Sequence, residues 1–295
     1  MSERPVYFRP VELRLGPHRF DITHGAVVVG ILNRTTDSFF DAGRYWPFDA
    51  FLARADQLVA DGADALDVGG VKAGPGPDVS EAEELDRVVP AIEALNARFD
   101  IPLSVDTWRA AVARAAFGAG AVVGNDISGF ADPAYLATAA RAGASVVATH
   151  IRLQPRVPDP DPTYNDVVAT VCATLSDLAS RAEAAGIAPD QIMVDAGLDL
   201  GKSEAQSLAL LRASDRLAAL GYAVLLSASN KRFLGALLGT DVEHRQDASH
   251  AAHAHGIALG CRVLRVHDVR GARRVSDVLA AVLSSGQECG KDAGR

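Results

Sequence analysis

Polar residues able to bind or activate a small molecule stand at the end of every apolar run in this chain. Asn33 closes VVVGILN, Asp67 follows AL, Asp106 closes IPLSVD, Asn125 and Asp126 close AVVGND, and His150 closes ASVVATH. Asp195 follows QIMV, Ser229, Asn230 and Lys231 follow AVLLSA, and Arg265, His267 and Asp268 end CRVLRVHD. An Asp or Asn after a strand often does no more than cap the next helix. Eight runs all ending this way point instead to a shared pocket. Carboxylates and amides converging there suit a flat heterocycle rich in N–H donors, because a carboxylate accepts two parallel hydrogen bonds from an amidine-like edge. Lys231 would meet a ring carbonyl. Arg265 and His267, two residues apart on one strand, face the same side and can hold an anion such as phosphate, with a metal near Asn33. Thr35, Asp37 and Ser38 extend the candidate set into the first loop.

The elements that must position these groups follow a repeating plan. Val27, Val28, Val29, Ile31 and Leu32 lack polar alternation, as in a strand buried on both faces of a parallel sheet. Helical spacing then appears in FDAFLARADQLVADGA, and strand and helix signals alternate to the end. Helices are predicted over 80–97, 107–118, 132–142, 165–185, 203–219, 244–258 and near 272–285, the first opened by a Ser80/Glu83 capping box. Eight strand–helix units in roughly 260 residues match the arithmetic of a closed (β/α)8 TIM barrel. No Gly-x-Gly-x-x-Gly follows the first strand, as a dinucleotide fold would require. The expected organisation is an N-terminal hairpin segment over 1–24 that caps the barrel, a barrel over 25–285, and a disordered tail over 286–295.

With 48% hydrophobic residues the chain can bury a large core, and no run approaches the roughly 18 apolar residues of a membrane span. The start MSERPVYFRP does not read as a signal peptide, so a cytoplasmic location is expected. Cys172, Cys261 and Cys289 fit neither a disulfide framework nor a zinc site. A formal charge of -8 argues against a general nucleic-acid surface and for a small-molecule partner. His244, His250, His253 and His255 are read as an exposed or subunit-contact helix rather than a metal site, and the loop RLQPRVPDPDPTY as a lid edge.

GILNRTTDSFFDAG, DALDVGG, SVDT, GNDISG, DAGLDLGK, SASNK and LRVHDV, in that order, resemble the signature blocks of dihydropteroate synthase. That family consists of (β/α)8 barrels that join a 6-hydroxymethyl-7,8-dihydropterin pyrophosphate to 4-aminobenzoate in folate biosynthesis, with magnesium present, as homodimers. The resemblance implies a pterin pocket of Asp106, Asn125, Asp195 and Lys231. It places Asn33 near magnesium and pyrophosphate, and Arg265 and His267 as an anion clamp. Asn33, Lys231, Arg265 and His267 thereby become the expected catalytic set.

The departures concentrate on the second-substrate side. The family's Gly-Gly-Glu-Ser-Thr-Arg-Pro-Gly becomes Gly69-Gly70-Val71-Lys72-Ala73-Gly74-Pro75-Gly76, which removes a threonine and an arginine. Lys72 and Arg34 are candidates to restore the charge, although an ammonium does not reproduce a guanidinium fork. The family's Gly-Phe-Gly after the sixth barrel strand is Asp199-Leu200-Gly201, and its arginine before lysine is Asn230. Arg34, Lys72, Ser229 and Asn230 are therefore assigned to the second-substrate side. The pattern resembles a divergent actinobacterial second copy of the synthase. It implies weak or altered activity, or alternatively a noncatalytic pterin-binding paralogue or a transferase using a different amine.

Overall fold

The computed structural model describes residues 12–35 and 47–288. Thr36, Asp37, Ser38 and Cys289 lie outside the described residues, as do residues 289–295 of the expected tail.

Two short strands, β1 (Glu12–Leu15) and β2 (His18–Asp21), pair antiparallel around Gly16, which sits at φ 60°. Leu13, Leu15 and Ile22 are buried against Val27, Val29, Ala65, Val123 and Val147, inside one end of the barrel. The hairpin is thus a plug, fixed further by Ser145 Oγ donating to Arg14 O at 2.6 Å.

Eight parallel strands then close the barrel in sequence order: β3 (Val27–Asn33), β4 (Ala65–Gly69), β5 (Leu103–Asp106), β6 (Val123–Asp126), β7 (Ser145–Thr149), β8 (Ile192–Asp195), β9 (Ala223–Leu226) and β10 (Cys261–Val266). β10 pairs with β3 to complete the ring. Alternation along each strand sends one set inward, including Val29, Met193 and Val263, and the other outward under the helices, including Val28, Leu66, Val105 and Leu264. The inward apolar layers give way to polar side chains at the carboxyl ends. Register places Asn33 beside Gly69, Gly69 beside Asp106 and Asp106 beside Asn125, so these residues share one level of the barrel.

The outer helices are α1 (Phe48–Ala60), α2 (Glu81–Arg98), α3 (Ala110–Ala119), α4 (Tyr135–Ala142), α5 (Val167–Ala184), α6 (Glu204–Arg212), α7 (Ser214–Ala218), α8 (Arg232–Leu238), α9 (Gln246–Ala258) and α10 (Val269–Glu288). Ser80 caps α2 by accepting from Glu83 N at 3.2 Å. The helix predicted over 203–219 breaks at Ala213 into α6 and α7, and α4 starts later than expected because Asp132 accepts from Ala134 N and Ala110 N. α10 runs through Glu288, so the start of the expected tail is helical. α9 is not simply an exposed helix. His253 is 1% exposed, and His250 Nε2 lies 3.0 Å from Asp268 Oδ2.

Candidate active site

A cavity of about 1020 Å³ opens over the carboxyl ends of the barrel strands. The loops after β3, β4, β7, β8 and β9 form its walls, through Asn33, Lys72, Ala73, Gly74, Ile151, Arg156, Lys202, Asn230 and Lys231, and Asp106 and Arg265 form part of its floor. Ligands in this fold meet their protein at that end.

The floor is organised by one guanidinium. Arg265 Nε donates to Asp67 Oδ2 at 2.6 Å, and another of its nitrogens donates to Asp106 Oδ2 at 2.8 Å. Asn125 Nδ2 reaches the same Asp67 oxygen at 3.3 Å. Burial pushes the Asp106 carboxyl up to about 7, against the pull of Arg265. Burial also works against the Arg265 charge, but Asp67 and Asp106 outweigh it and hold the guanidinium above its ordinary value. Asp195, 7% exposed, accepts from Gly197 N at 2.8 Å, and burial raises its pKa as well. Lys231 is buried enough for its pKa to fall, and Asp199 and Asp195 lead the charges opposing that fall.

His267 is placed differently from Arg265. β10 ends at Val266, and the His267 ring turns toward Ser229, whose Oγ lies 3.0 Å from Nδ1 and accepts from His267 N at 3.1 Å. His267 and Ser229 line a neighbouring cavity of about 490 Å³, which meets the larger one at Asn230. Arg265 and His267 thus have different hydrogen-bond partners, and Arg265 still lies close enough for its charge to act on the His267 ring. The strand stops between them, and Arg265 is bound by two carboxylates. Ser229, expected on the second-substrate side, is hydrogen-bonded to His267. Burial, then Arg265 and Lys231, lower the His267 pKa to about 3, so its ring is neutral.

Asn33 and Thr35 line the cavity, whereas Arg34 between them projects away, its guanidinium 5.3 Å from the Phe48 ring centroid and 5.2 Å from that of Phe51. That placement is a cation–π contact with α1. Lys72 does line the cavity.

Three features escaped the sequence reading. Asp67 was visible as a strand-end carboxylate, but its role as the hub of Arg265 and Asn125 was not. Lys202 is 3% exposed, and its Nζ lies 2.9 Å from His150 Nδ1, 3.2 Å from His150 O and 2.9 Å from Leu200 O. Burial lowers its pKa to about 7. The loop after β7 crosses to the loop after β4: Arg156 N donates to Ala73 O at 3.1 Å, and its side chain donates to the carbonyls of Gly76 and Pro77. Arg152 pairs with Asp159 in the same loop, so the PDPDP stretch is held by salt bridge and backbone contacts.

Residues 29–267, which span the whole site, match the family described as pterin binding enzyme. The chain belongs to the pterin-binding enzyme family. Among similar members, a protein of Mycobacterium leprae (strain TN) named inactive dihydropteroate synthase 2 is 43% identical, the match covering 87% of this chain and 90% of that one. The Yersinia pestis dihydropteroate synthase, solved with a sulfonamide drug complex, has a TM-score of 0.89 and 35% identity and covers 93% of this chain and 100% of its own. The Xanthomonas albilineans dihydropteroate synthase with 4-aminobenzoic acid has a TM-score of 0.85 and 38% identity, covering 93% and 99%.

Proposed function

We propose that the protein is a dihydropteroate synthase-like transferase that binds 6-hydroxymethyl-7,8-dihydropterin pyrophosphate and transfers its pterin methylene to 4-aminobenzoate with diminished or altered activity. The observation that carries this reading is the arrangement of Asp106, Asn125 and Asp195 at the carboxyl ends of β5, β6 and β8, with Lys231 in the loop after β9. Asp106 and Asp195 supply acceptors for an aminopyrimidinone edge, Asn125 supplies both donor and acceptor, and Lys231 supplies a donor for the ring carbonyl. Arg265 acts beneath them, holding Asp67 and Asp106 in position and favouring the charged form of Asp106. In the transfer the methylene–oxygen bond breaks with its electrons leaving on pyrophosphate, the amine nitrogen bonds to the methylene, and the new ammonium loses a proton to solvent. The protein contributes orientation and charge stabilisation, with no covalent nucleophile.

Magnesium fits this reading through Asn33. Among the described residues no group of three or more His, Cys, Asp or Glu forms a metal site. A single amide oxygen at the cavity wall suits a hard cation that keeps most of its water and arrives with a phosphate substrate. When bound, the ion neutralises charge on the leaving group. A cytoplasmic homodimer completes the reading. The free thiols of Cys172 and Cys261 suit a reducing compartment, and Val278 and Val282, exposed one turn apart on α10, offer apolar surface to a second copy. No described helix is long and apolar enough to cross a membrane.

One observation favours a second reading, a pterin-binding paralogue without synthase activity. Ala73 and Gly74 leave the loop after β4 without a guanidinium, and a relative at 43% identity is named inactive. Pyrophosphate release from the pterin pyrophosphate, followed with magnesium and with or without 4-aminobenzoate, separates the two. The transferase reading predicts slow release that requires 4-aminobenzoate and is lost in Lys231→Ala. Tight pterin binding without release under either condition would favour the paralogue.

A further inference from the structure

Asp199 stands in the loop between β8 and α6, at the wall of the large cavity, with φ 66°. Aspartate tolerates that left-handed conformation better than most side chains. The loop is fixed there by Asp199 N donating to Ser207 Oγ at 3.3 Å and Leu200 N donating to Gly197 O at 3.0 Å. From this position the carboxylate crosses to the start of α8, where its Oδ2 accepts from Arg232 N at 2.6 Å and from Phe233 N at 3.4 Å. These amides directly follow Lys231, whose ammonium is among the charges Asp199 faces.

Several other donors around the cavity have partners within the chain, while the Lys72 and Arg232 side chains also line it. Arg265 is bound to Asp67 and Asp106, Arg156 to the carbonyls of Gly76 and Pro77, Lys202 to His150 and Leu200 O, and Arg245 to Asn230 O at 3.2 Å. A carboxylate-bearing amine approaching Lys231 therefore meets an internal carboxylate on the adjacent amides. It must displace that group or sit beside it, and like charges at such separations repel. An uncharged amine meets no such opposition.

We infer that Asp199 is a specificity-determining residue of the second-substrate site, disfavouring amines that carry a carboxylate relative to uncharged amines of the same shape. The inference rests on the transferase reading and gives a physical cause for weak use of 4-aminobenzoate. Asp199 acts through the charge and the hydrogen bonds it places beside Lys231, without taking part in bond making.

The test is calorimetric titration of the full chain, saturated with 6-hydroxymethylpterin, by 4-aminobenzoate and by its uncharged analogue 4-aminobenzamide. Wild type is compared with Asp199→Asn, which keeps an acceptor oxygen for the α8 amides, and with Asp199→Gly, which suits the positive φ. The expected result is that wild type binds the amide at least as tightly as the carboxylate. Both variants should then tighten carboxylate binding about tenfold while amide binding changes less than about twofold, as expected for removal of a nearby like charge. A purely structural role for Asp199 would move both ligands together, and an unchanged carboxylate-to-amide ratio with pterin bound would overturn this inference alone. Failure of all three proteins to bind the pterin would overturn the transferase reading and this inference with it.

Discussion

The functional residues are governed by burial set against pairing. Asp106 sits where loss of water pushes its carboxyl up to about 7 and Arg265 pulls the other way, so its charge changes near neutral pH. In the proposed function the ionised form of Asp106 is the two-fold acceptor for the pterin. Affinity for 6-hydroxymethylpterin should therefore hold above about pH 7 and fall as pH drops through that value, approaching tenfold per unit below it. Titrations from pH 8 to 5 check this, and Asp106→Asn should bind more weakly with a flatter profile. His267, held neutral down to about 3 by burial and neighbouring cations, should add no inflection between pH 5 and 8. That Asp106 and Arg265 share one pocket was legible from their places at the ends of apolar runs. Their partnership was not, because Asp67 and Arg265 lie 198 residues apart and only barrel closure brings them together. Arg34 shows the converse: a cation next to Asn33 in sequence lies just past the end of β3 and packs on the Phe48 and Phe51 rings, which strand pattern alone does not indicate.

At the level of elements, the eight strands were legible because each is a short, continuous apolar run ending in a polar residue. The connections were less so. Nothing in RLQPRVPDPDPTY announces that Arg156 reaches the carbonyls of Gly76 and Pro77, since backbone acceptors leave no mark on sequence. That clasp ties the loop after β7 to the loop that carries Ala73 and Gly74. Arg156→Ala should raise hydrogen exchange of amides over 72–77 by about tenfold, corresponding to loss of roughly 1–2 kcal/mol of charge-assisted bonding, while β8 and β9 amides stay unchanged. The hairpin makes a separate prediction. Leu13 is 1% exposed inside the barrel end, and Leu13→Ala should cost about 2–5 kcal/mol of stability in chemical denaturation, with pterin affinity at the opposite end preserved.

For the molecule as a whole, the fold leaves the barrel and its floor complete and places the family departures on the loops above. Residues 29–267 carry the family match, so the changed loops interrupt the site without interrupting the barrel. Sequence blocks showed which loops differ. They could not show that Arg265 is held by two carboxylates, that His267 serves a neighbouring cavity, or that Asp199 already occupies the amides beside Lys231. The proposed function implies a retained pterin half and an altered amine half, and the pterin half can be tested without any turnover. The most direct measurement is calorimetric titration of wild type and Asp195→Asn with 6-hydroxymethylpterin pyrophosphate and magnesium. One-to-one binding that Asp195→Asn weakens at least tenfold is the predicted result. No binding by a folded wild-type protein, or equal binding by both, would contradict it.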